Sequence, residues 1–174
     1  SWSERQEFLN TVYERFFQGF SVKQADTHGI VYTPQEIVDF MVENVDEVLK
    51  REFGKSIETP GVKILDPATG TGNFIVNLIR RIDESYLEKK YKNDLFCNEI
   101  MLLPYYIASL NIEHEYYAKM GRYEPFEGIC FADTLEISEG NQPAFELFVE
   151  ENTERVKREK AADIMVVIAN PPYN

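Results

Sequence analysis

From Val62 to the end of the chain, short continuous apolar runs alternate with segments whose apolar residues recur at helical spacing. The runs VKILD, DLFCNE, GICFAD and DIMVVIA have the length and composition of β-strands. Strands that alternate with helices predict an α/β fold with a partial parallel sheet of about four strands and right-handed crossovers. The last run is apolar throughout, which predicts a strand covered on both faces. The turn after the first strand is expected at the topological switch point, where such sheets bind ligands.

The helical segments carry their own start signals and buried faces. Before the first strand, a helix is expected over Ser3–Phe20, and a second begins at TPQE, with Thr33 as N-cap, Pro34 as first helical residue and Glu36 closing a capping box. After the second strand, a helix is predicted in which Pro104 lies in the first turn. The apolar face predicted for the TPQE helix consists of Ile37, Phe40, Met41, Val45, Val48 and Leu49. The face predicted for the helix after the first strand consists of Phe74, Ile75, Leu78, Ile79 and Ile82. We therefore divide the chain into an N-terminal helical segment, 1–60, and an α/β core, 61–174.

Composition narrows the class of protein. The chain has 174 residues, 44% of them hydrophobic, which suits one packed globule, and no apolar run approaches the length of a membrane span. Two distant cysteines, Cys97 and Cys130, are expected to be buried, reduced thiols in a cytoplasmic protein. Neither His28 nor His114 has a partner at metal-ligand spacing, so no metal site is expected. The net charge of −12 means that a nucleic-acid partner would be held through a local basic patch or through regions outside this chain.

The glycine turn DPATGTGNF, with Gly70 and Gly72, excludes two common nucleotide sites. Taken alone, two glycines after a strand fit a tight turn in which a side chain would clash. A dinucleotide fingerprint needs a third small residue where Ile75 stands, and a phosphate loop needs Gly-Lys-Ser/Thr, which the turn lacks.

Three acidic residues at the ends of successive strands say more about the ligand. Asp66 ends the first strand, where a carboxylate would repel a pyrophosphate but attract a cation. Glu99 ends the second strand and could accept hydrogen bonds from two ribose hydroxyls, and Asp133 ends the third and could accept from an adenine amino group. Each acid alone also fits a helix cap or a loop carboxylate. Together they favour a ligand with an ammonium, a sulfonium and a ribose, which is S-adenosylmethionine.

Four features in this order resemble the Rossmann-like S-adenosylmethionine-dependent amino methyltransferases: DPATGTGNF, Glu99, Asp133 and NPPY. Upstream, VYTPQEIVDFMV resembles the cofactor motif of N6-adenine DNA methyltransferases of restriction–modification systems, which occur as modification subunits or as single-chain enzymes. The resemblance runs from Gly29 to the last residue. It implies that Thr33 binds the methionine carboxylate, although a cap of the TPQE helix is an alternative role for this residue. The cofactor-binding residues that it implies are Tyr32, Thr33, Asp66, Pro67, Ala68, Gly70, Gly72, Asn73, Glu99, Ile100 and Asp133.

The motif NPPY, Asn170-Pro171-Pro172-Tyr173, follows the fourth strand and fits methyl transfer to an exocyclic amine. The Asn170 side-chain oxygen and the Pro171 carbonyl would accept hydrogen bonds from the adenine amino group, with proline's restricted φ holding that carbonyl in place. Tyr173 would stack on an adenine flipped out of the duplex. A proline-stiffened turn is the alternative interpretation of the motif.

Two departures from the family limit what the chain is expected to do. Thr134 stands where some relatives carry an aromatic residue near the cofactor adenine. The chain also stops after NPPY, so we expect a fragment that by itself does not methylate a defined DNA site and that contacts DNA through regions absent from it. With four strands, IMVVIA would lie at an open sheet edge, where the chain could self-associate.

Three other functions remain open at this point. The first is a protein-glutamine or RNA amino methyltransferase, since these enzymes share NPPY. The second is a non-catalytic, methyltransferase-like assembly module. The third is a nicotinamide-dependent reductase, against which Ile75 counts.

Overall fold

The computed structural model describes residues 33–134 and 149–171. The described helices and strands alternate through most of this range, as the apolar pattern predicts. In chain order they are α1 Gln35–Phe53, β1 Lys63–Asp66, α2 Asn73–Arg81, α3 Glu84–Asn93, β2 Leu95–Glu99, α4 Leu102–Met120, β3 Ile129–Phe131, α5 Val149–Lys160 and β4 Ile164–Val167. The predicted helix at 3–20, Tyr32, Pro172 and Tyr173 lie outside the described residues, and the boundary between segments at residue 60 stays a prediction.

The four strands form one parallel sheet in the order β3-β2-β1-β4. This confirms the predicted α/β fold with a partial parallel sheet. The strand order reverses at β1, which has β2 on one side and β4 on the other, so the turn after β1 lies at the topological switch point. The carboxyl ends of all four strands therefore meet at one edge of the sheet.

Strand β4 lies at the edge of the described sheet, as predicted, and pairs with β1 alone. The expectation that it is covered on both faces is wrong for the described residues. Met165 and Val166 are half-buried and Val167 is 64% exposed, so the described helices leave the faces of this strand partly open. Self-association through this edge stays a prediction.

Helix α1 differs from its prediction at its start and in its buried face. Pro34 occupies the N-cap position, and no side chain caps the helix, so Thr33 is not the cap and Glu36 closes no box. Val38, Val42 and Leu49 are the buried apolar residues of α1. Of the predicted face, Met41 and Val45 pack partly against the core, whereas Ile37, Phe40 and Val48 are exposed.

A polar contact joins α1 to α2 beside the buried face of α1. The Asp39 carboxylate accepts hydrogen bonds from Asn77, which is buried, and from Arg81. Val38 and Val42 enter the core on this side of α1, instead of Ile37 and Phe40. Apolar spacing alone does not report such a contact.

The region after α2 also departs from the apolar pattern. Helix α2 ends at Arg81, and Ile82 is its buried C-cap residue rather than a position on its face. The Asp83 side chain then accepts from the Ser85 backbone N–H at 2.9 Å and starts α3, a helix the apolar pattern does not separate from α2.

Two smaller predictions also agree with the structure. Pro104 lies in the first turn of α4, and both cysteines are buried free thiols. None of the described helices is long and apolar enough to span a bilayer.

Candidate functional site

The turn between β1 and α2 needs glycine at two positions for different reasons. Gly70 has φ +56°, and a Cβ at this position would have no other atom within 4 Å, so glycine is required by backbone conformation alone. Gly72 has φ +90°, and a Cβ there would lie 3.2 Å from Ile112 Cγ1 and 3.4 Å from Ala108 Cα of α4. The Gly72 N–H donates to the Thr69 carbonyl at 2.9 Å and closes the turn. The turn is therefore packed directly against α4.

We expect Gly72→Ala to lower the free energy of unfolding by about 2 to 3 kcal/mol, because it adds a steric overlap to an unfavourable φ. The measurement is urea denaturation of the chain. The matched control is Gly121→Ala, since Gly121 has φ +68° but nothing within 4 Å of a Cβ. We expect about 1 kcal/mol for this control. Equal losses in the two variants would show that the packing of Gly72 against α4 contributes nothing.

Asp66 is a buried carboxylate with one oxygen unsatisfied. It is fully buried at the end of β1, and its Oδ1 accepts from the Ala68 backbone N–H at 3.2 Å. Its Oδ2 is buried and, like the hydroxyl of Thr69, has no hydrogen-bond partner by distance and angle, although the Thr69 side chain acts to lower the pKa of Asp66. Among the described residues no lysine or arginine forms a salt bridge with it, and burial raises its pKa to about 7. An orphaned, buried acceptor of this kind is costly to the fold and is suited to a cationic group.

Glu99, at the end of β2, holds the glycine turn in place. Its Oε2 accepts from the Gly70 N–H at 2.9 Å and its Oε1 accepts from the Met101 N–H at 2.8 Å. Burial raises its pKa, and these backbone donors act in the opposite direction. The Ile100 backbone also acts to lower this pKa, and a carboxylate with about four acceptor sites can still accept a further hydrogen bond. The next residue, Ile100, is 53% exposed.

A buried polar network ties the turn after β3 to the turn after β1. Thr134, next to Asp133, donates its hydroxyl to the Pro67 carbonyl at 2.7 Å and accepts from the Asn98 side chain at 3.1 Å. Asn98 also donates to Glu159 of α5 at 2.9 Å. Asn98 and Glu159 are functional candidates that sequence reasoning missed. The available sequence signal was an amide, Asn98, directly after the apolar residues of the strand LFCNE.

The segment after β4 returns to the same edge of the sheet. The Ile168 N–H donates to the carbonyl of Leu65, the residue before Asp66, at 3.0 Å. Two residues later, the Asn170 side-chain nitrogen donates to Thr33 Oγ1 at 3.0 Å. Thr33 is 9% exposed, and this bond joins residues 137 positions apart in sequence.

The predicted site residues therefore form two groups at one sheet edge. The first surrounds the glycine turn and includes Pro67, whose carbonyl accepts from the Thr134 hydroxyl, and Asn73, the first residue of α2. The second is the pair Thr33 and Asn170, which is followed by the exposed Pro171.

Two surface grooves lie elsewhere, and neither is lined by a residue of the predicted site. In the described parts of the chain, no group of three or more His, Cys, Asp or Glu residues could hold a metal ion.

Sequence and structure comparisons identify relatives of the chain. A family model described as N-6 DNA Methylase matches residues 4–174. The methylase subunit of the type I restriction enzyme EcoEI from Escherichia coli is 26% identical over 131 residues, which are 66% of this chain and 24% of that subunit. A DrdV–DNA complex matches the whole chain with 48% identity and a TM-score of 0.94. The ATP-dependent type ISP restriction–modification enzyme LlaBIII, bound to DNA, matches the whole chain with 39% identity and a TM-score of 0.87.

The chain is short relative to these proteins, since it spans 24% of the EcoEI subunit, 17% of the DrdV chain and 12% of the LlaBIII chain. The match of nearly all its residues to one family model, together with these relatives, confirms the resemblance to restriction–modification methylases and the Rossmann-like methyltransferase fold. The chain belongs to the N-6 DNA methylase family.

Proposed function

We propose that this chain is the S-adenosylmethionine-binding and catalytic-motif part of a DNA adenine N6-methyltransferase that belongs to a restriction–modification enzyme. The observation that carries the proposal is the buried, unpartnered Oδ2 of Asp66. It lies at the sheet edge to which the Ile168–Leu65 hydrogen bond also brings Asn170. This reaction requires a carboxylate that binds the cationic methyl donor and, near it, an amide that accepts hydrogen bonds from the target amine.

The residues around the glycine turn fit the methyl donor. Asp66 Oδ2 would receive the ammonium of the donor, and this is the one contact that its buried environment lacks. The carboxylate oxygens of Glu99 suit ribose hydroxyls, and the space beside Gly70 is open. Asp133 suits the adenine amino group, and Ala68, Asn73, Ile100 and Tyr32 complete the proposed cofactor-binding set. When bound, S-adenosylmethionine supplies an electrophilic methyl group.

The residues after β4 would act on the target amine. The lone pair of the adenine amino group is delocalised into the ring, so the amine becomes nucleophilic only as it pyramidalises. The side-chain oxygen of Asn170 and the carbonyl of Pro171 would accept its hydrogens in that geometry. Pro172 would keep the segment rigid, and Tyr173 would stack on the flipped base.

DNA is the proposed partner, held through regions beyond this chain. The DrdV and LlaBIII structures are complexes with DNA, and both proteins are several times longer than this chain. The net charge of −12 disfavours a duplex-binding surface here. We therefore propose that the chain alone does not methylate a defined DNA site. We also propose a cytoplasmic location, which suits the free thiols Cys97 and Cys130.

Calorimetric titration with S-adenosylmethionine tests the cofactor site. We expect Asp66→Ala to weaken binding by about 2 kcal/mol or more, because the ammonium of the donor loses a buried charged partner. Equal affinities for wild type and Asp66→Ala would remove Asp66 from the site. The control is Asp83→Ala, since Asp83 is an exposed cap of α3 and should leave the affinity unchanged.

The same titration run as a function of pH gives a second expected result. The carboxylate of Asp66 has a pKa of about 7 without ligand and must ionise to hold an ammonium. The wild-type affinity should therefore fall about tenfold for each pH unit below 7, and binding should release a proton. An affinity that is flat between pH 5 and 8 would contradict this role.

A non-catalytic assembly module with a vestigial cofactor site is the alternative of a different class. A folded protein that shows no thermal shift with millimolar S-adenosylmethionine would favour the module. A protein-glutamine or RNA substrate would instead leave cofactor binding intact and appear as methyl transfer to those substrates and not to DNA.

A further inference from the structure

We propose that Thr33 is a positioning residue that orients the side-chain amide of Asn170, so that docking of the methyl donor also aligns the group that accepts the target amine. This inference rests on the proposed function and deepens it. It assigns to Thr33 a role in the methyl-transfer step in addition to a role in cofactor binding.

The Thr33 hydroxyl forms its hydrogen bond with a residue outside α1, the helix that follows it. No side chain caps α1, so the hydroxyl of Thr33 is not held by the first-turn amides. Its oxygen instead accepts from Asn170 Nδ2 at 3.0 Å. Thr33 is 9% exposed and Asn170 is half-buried, so this hydrogen bond is partly shielded from competing water.

Both partners of this bond are held by the rest of the fold. Thr33 precedes α1, which is anchored by Val38 in the core and by the contact of Asp39 with Asn77. Asn170 follows Ile168, whose N–H is bonded to β1. The bond therefore connects two fixed supports and holds the side-chain amide of Asn170 between them.

A threonine hydroxyl and a primary amide can pair in two ways. The hydroxyl oxygen can accept from the amide nitrogen, or the hydroxyl proton can be donated to the amide oxygen after a half-turn of the amide. The second arrangement would occupy the oxygen of Asn170 that the target amine needs. The hydrogen bond in this structure is the first arrangement, with the nitrogen towards Thr33.

An anionic group bound at the Thr33 hydroxyl would hold the amide of Asn170 in the first arrangement. If the hydroxyl proton is donated to the carboxylate of the methyl donor, the Thr33 oxygen is left only as an acceptor. The amide of Asn170 must then present its nitrogen to Thr33, and its oxygen is the atom that accepts from the amine. Donor binding and amide orientation are coupled in this way through one hydroxyl group.

A double-mutant cycle in the full-length protein that carries this sequence tests the coupling. Steady-state methylation of duplex DNA is measured at saturating S-adenosylmethionine for wild type, Thr33→Val, Asn170→Ala and the double variant. We expect Thr33→Val to lower kcat about fivefold to tenfold, because the amide of Asn170 loses its orientation. In the Asn170→Ala background the same substitution should change kcat less than about twofold, since no amide remains to be oriented.

Other outcomes separate this inference from the proposed function. If Thr33→Val weakens the calorimetric affinity for S-adenosylmethionine while kcat stays at the wild-type value, Thr33 binds the donor only and the coupling is overturned. An equal loss of kcat in both backgrounds overturns it as well. If the wild-type protein transfers no methyl group to DNA, the proposed function fails and this inference fails with it.

Two further variants distinguish loss of the hydroxyl from misfolding of Thr33→Val. Thr33→Ser retains the hydroxyl and should keep kcat within about twofold of wild type. Thr33→Ala adds no atom that could clash and should reproduce the loss seen with Thr33→Val. Loss of activity in Thr33→Ser equal to that in Thr33→Ala would overturn the proposed role of the hydroxyl.

Discussion

Replacing Asn170 by alanine in the full-length protein is expected to lower kcat for DNA methylation about 10²–10³-fold. The substitution removes a preoriented acceptor aimed at hydrogens whose positive charge grows as the amine attacks. Such a contact is stronger in the transition state than in the ground state, so the loss should appear in kcat and hardly in the KM for DNA. Single-turnover methylation with a labelled methyl donor measures it directly.

A matched control for this variant is available on α1. Asn44 is an exposed asparagine whose side chain donates to a backbone carbonyl within its own helix. Asn44→Ala should leave kcat unchanged, and both variants should keep the thermal transition of the wild type. A kcat within about threefold of wild type for Asn170→Ala would exclude Asn170 as the acceptor of the target amine.

The second large effect is on stability, and it comes from the same buried carboxylate that would hold the cofactor. Burial raises the pKa of Asp66 to about 7 in the folded chain, whereas an exposed aspartate titrates near 4. The folded state therefore binds this proton more tightly than the unfolded state does. The contribution to stability is fully present below about pH 4 and is lost as the pH rises to about 7.

Asp66→Asn isolates this contribution because asparagine has the same shape and does not titrate. The free energy of unfolding of the variant, minus that of wild type, should grow between pH 4 and 7 by roughly 4 kcal/mol and level off above pH 7. Urea denaturation of the ligand-free chain at several pH values measures the difference. A difference that does not change with pH would contradict the burial-driven pKa of Asp66.

An exposed aspartate provides a control of opposite sign. The hydrogen bonds from Ser85 hold the pKa of Asp83 below its usual value, so ionisation of this residue favours the folded state. The stability of Asp83→Asn relative to wild type should therefore fall as the pH rises, in the direction opposite to that of Asp66→Asn. The two variants together exclude a general effect of removing a carboxylate.

The free-energy cost of burying an unpaired Asp66 in the apo protein can be explained by the proposed cofactor. A buried carboxylate without a cation weakens the apo fold, and a ligand that supplies an ammonium removes that penalty on binding. The proposed site would therefore be stabilised by its own cofactor. The buried charge of Glu99 costs the fold less, because two backbone N–H groups already stabilise it.

Much of the fold could be predicted from the sequence because it depends on local order. Short apolar runs that alternate with helical spacing leave few arrangements other than a parallel sheet, and the handedness of the crossovers restricts these further. The positions of Asp66, Glu99 and Asn170 at one edge follow from the same reasoning. Each comes at or just after the carboxyl end of a strand, and parallel strands end together.

Other parts could not be predicted, and α1 shows the reason. Its apolar residues are spread widely enough to suggest a face with Ile37, Phe40 and Val48, all of which are exposed. Periodicity reports that a helix has an apolar side, but its rotation is set by the neighbour against which it packs. Here that neighbour is α2, and their contact includes the hydrogen bond from Asn77 to Asp39.

What the sequence determined by itself is therefore the order of the strands, the glycine turn and the acids and amide at the strand ends, since these depend on residues close together in the chain. The tertiary structure decided which of these residues touch. It directs Thr33 to Asn170 across 137 positions instead of to its own helix, closes the glycine turn with Glu99, and leaves one oxygen of Asp66 buried without a partner. These outcomes depend on how distant segments pack, and no local pattern encodes a distance between elements that the chain separates.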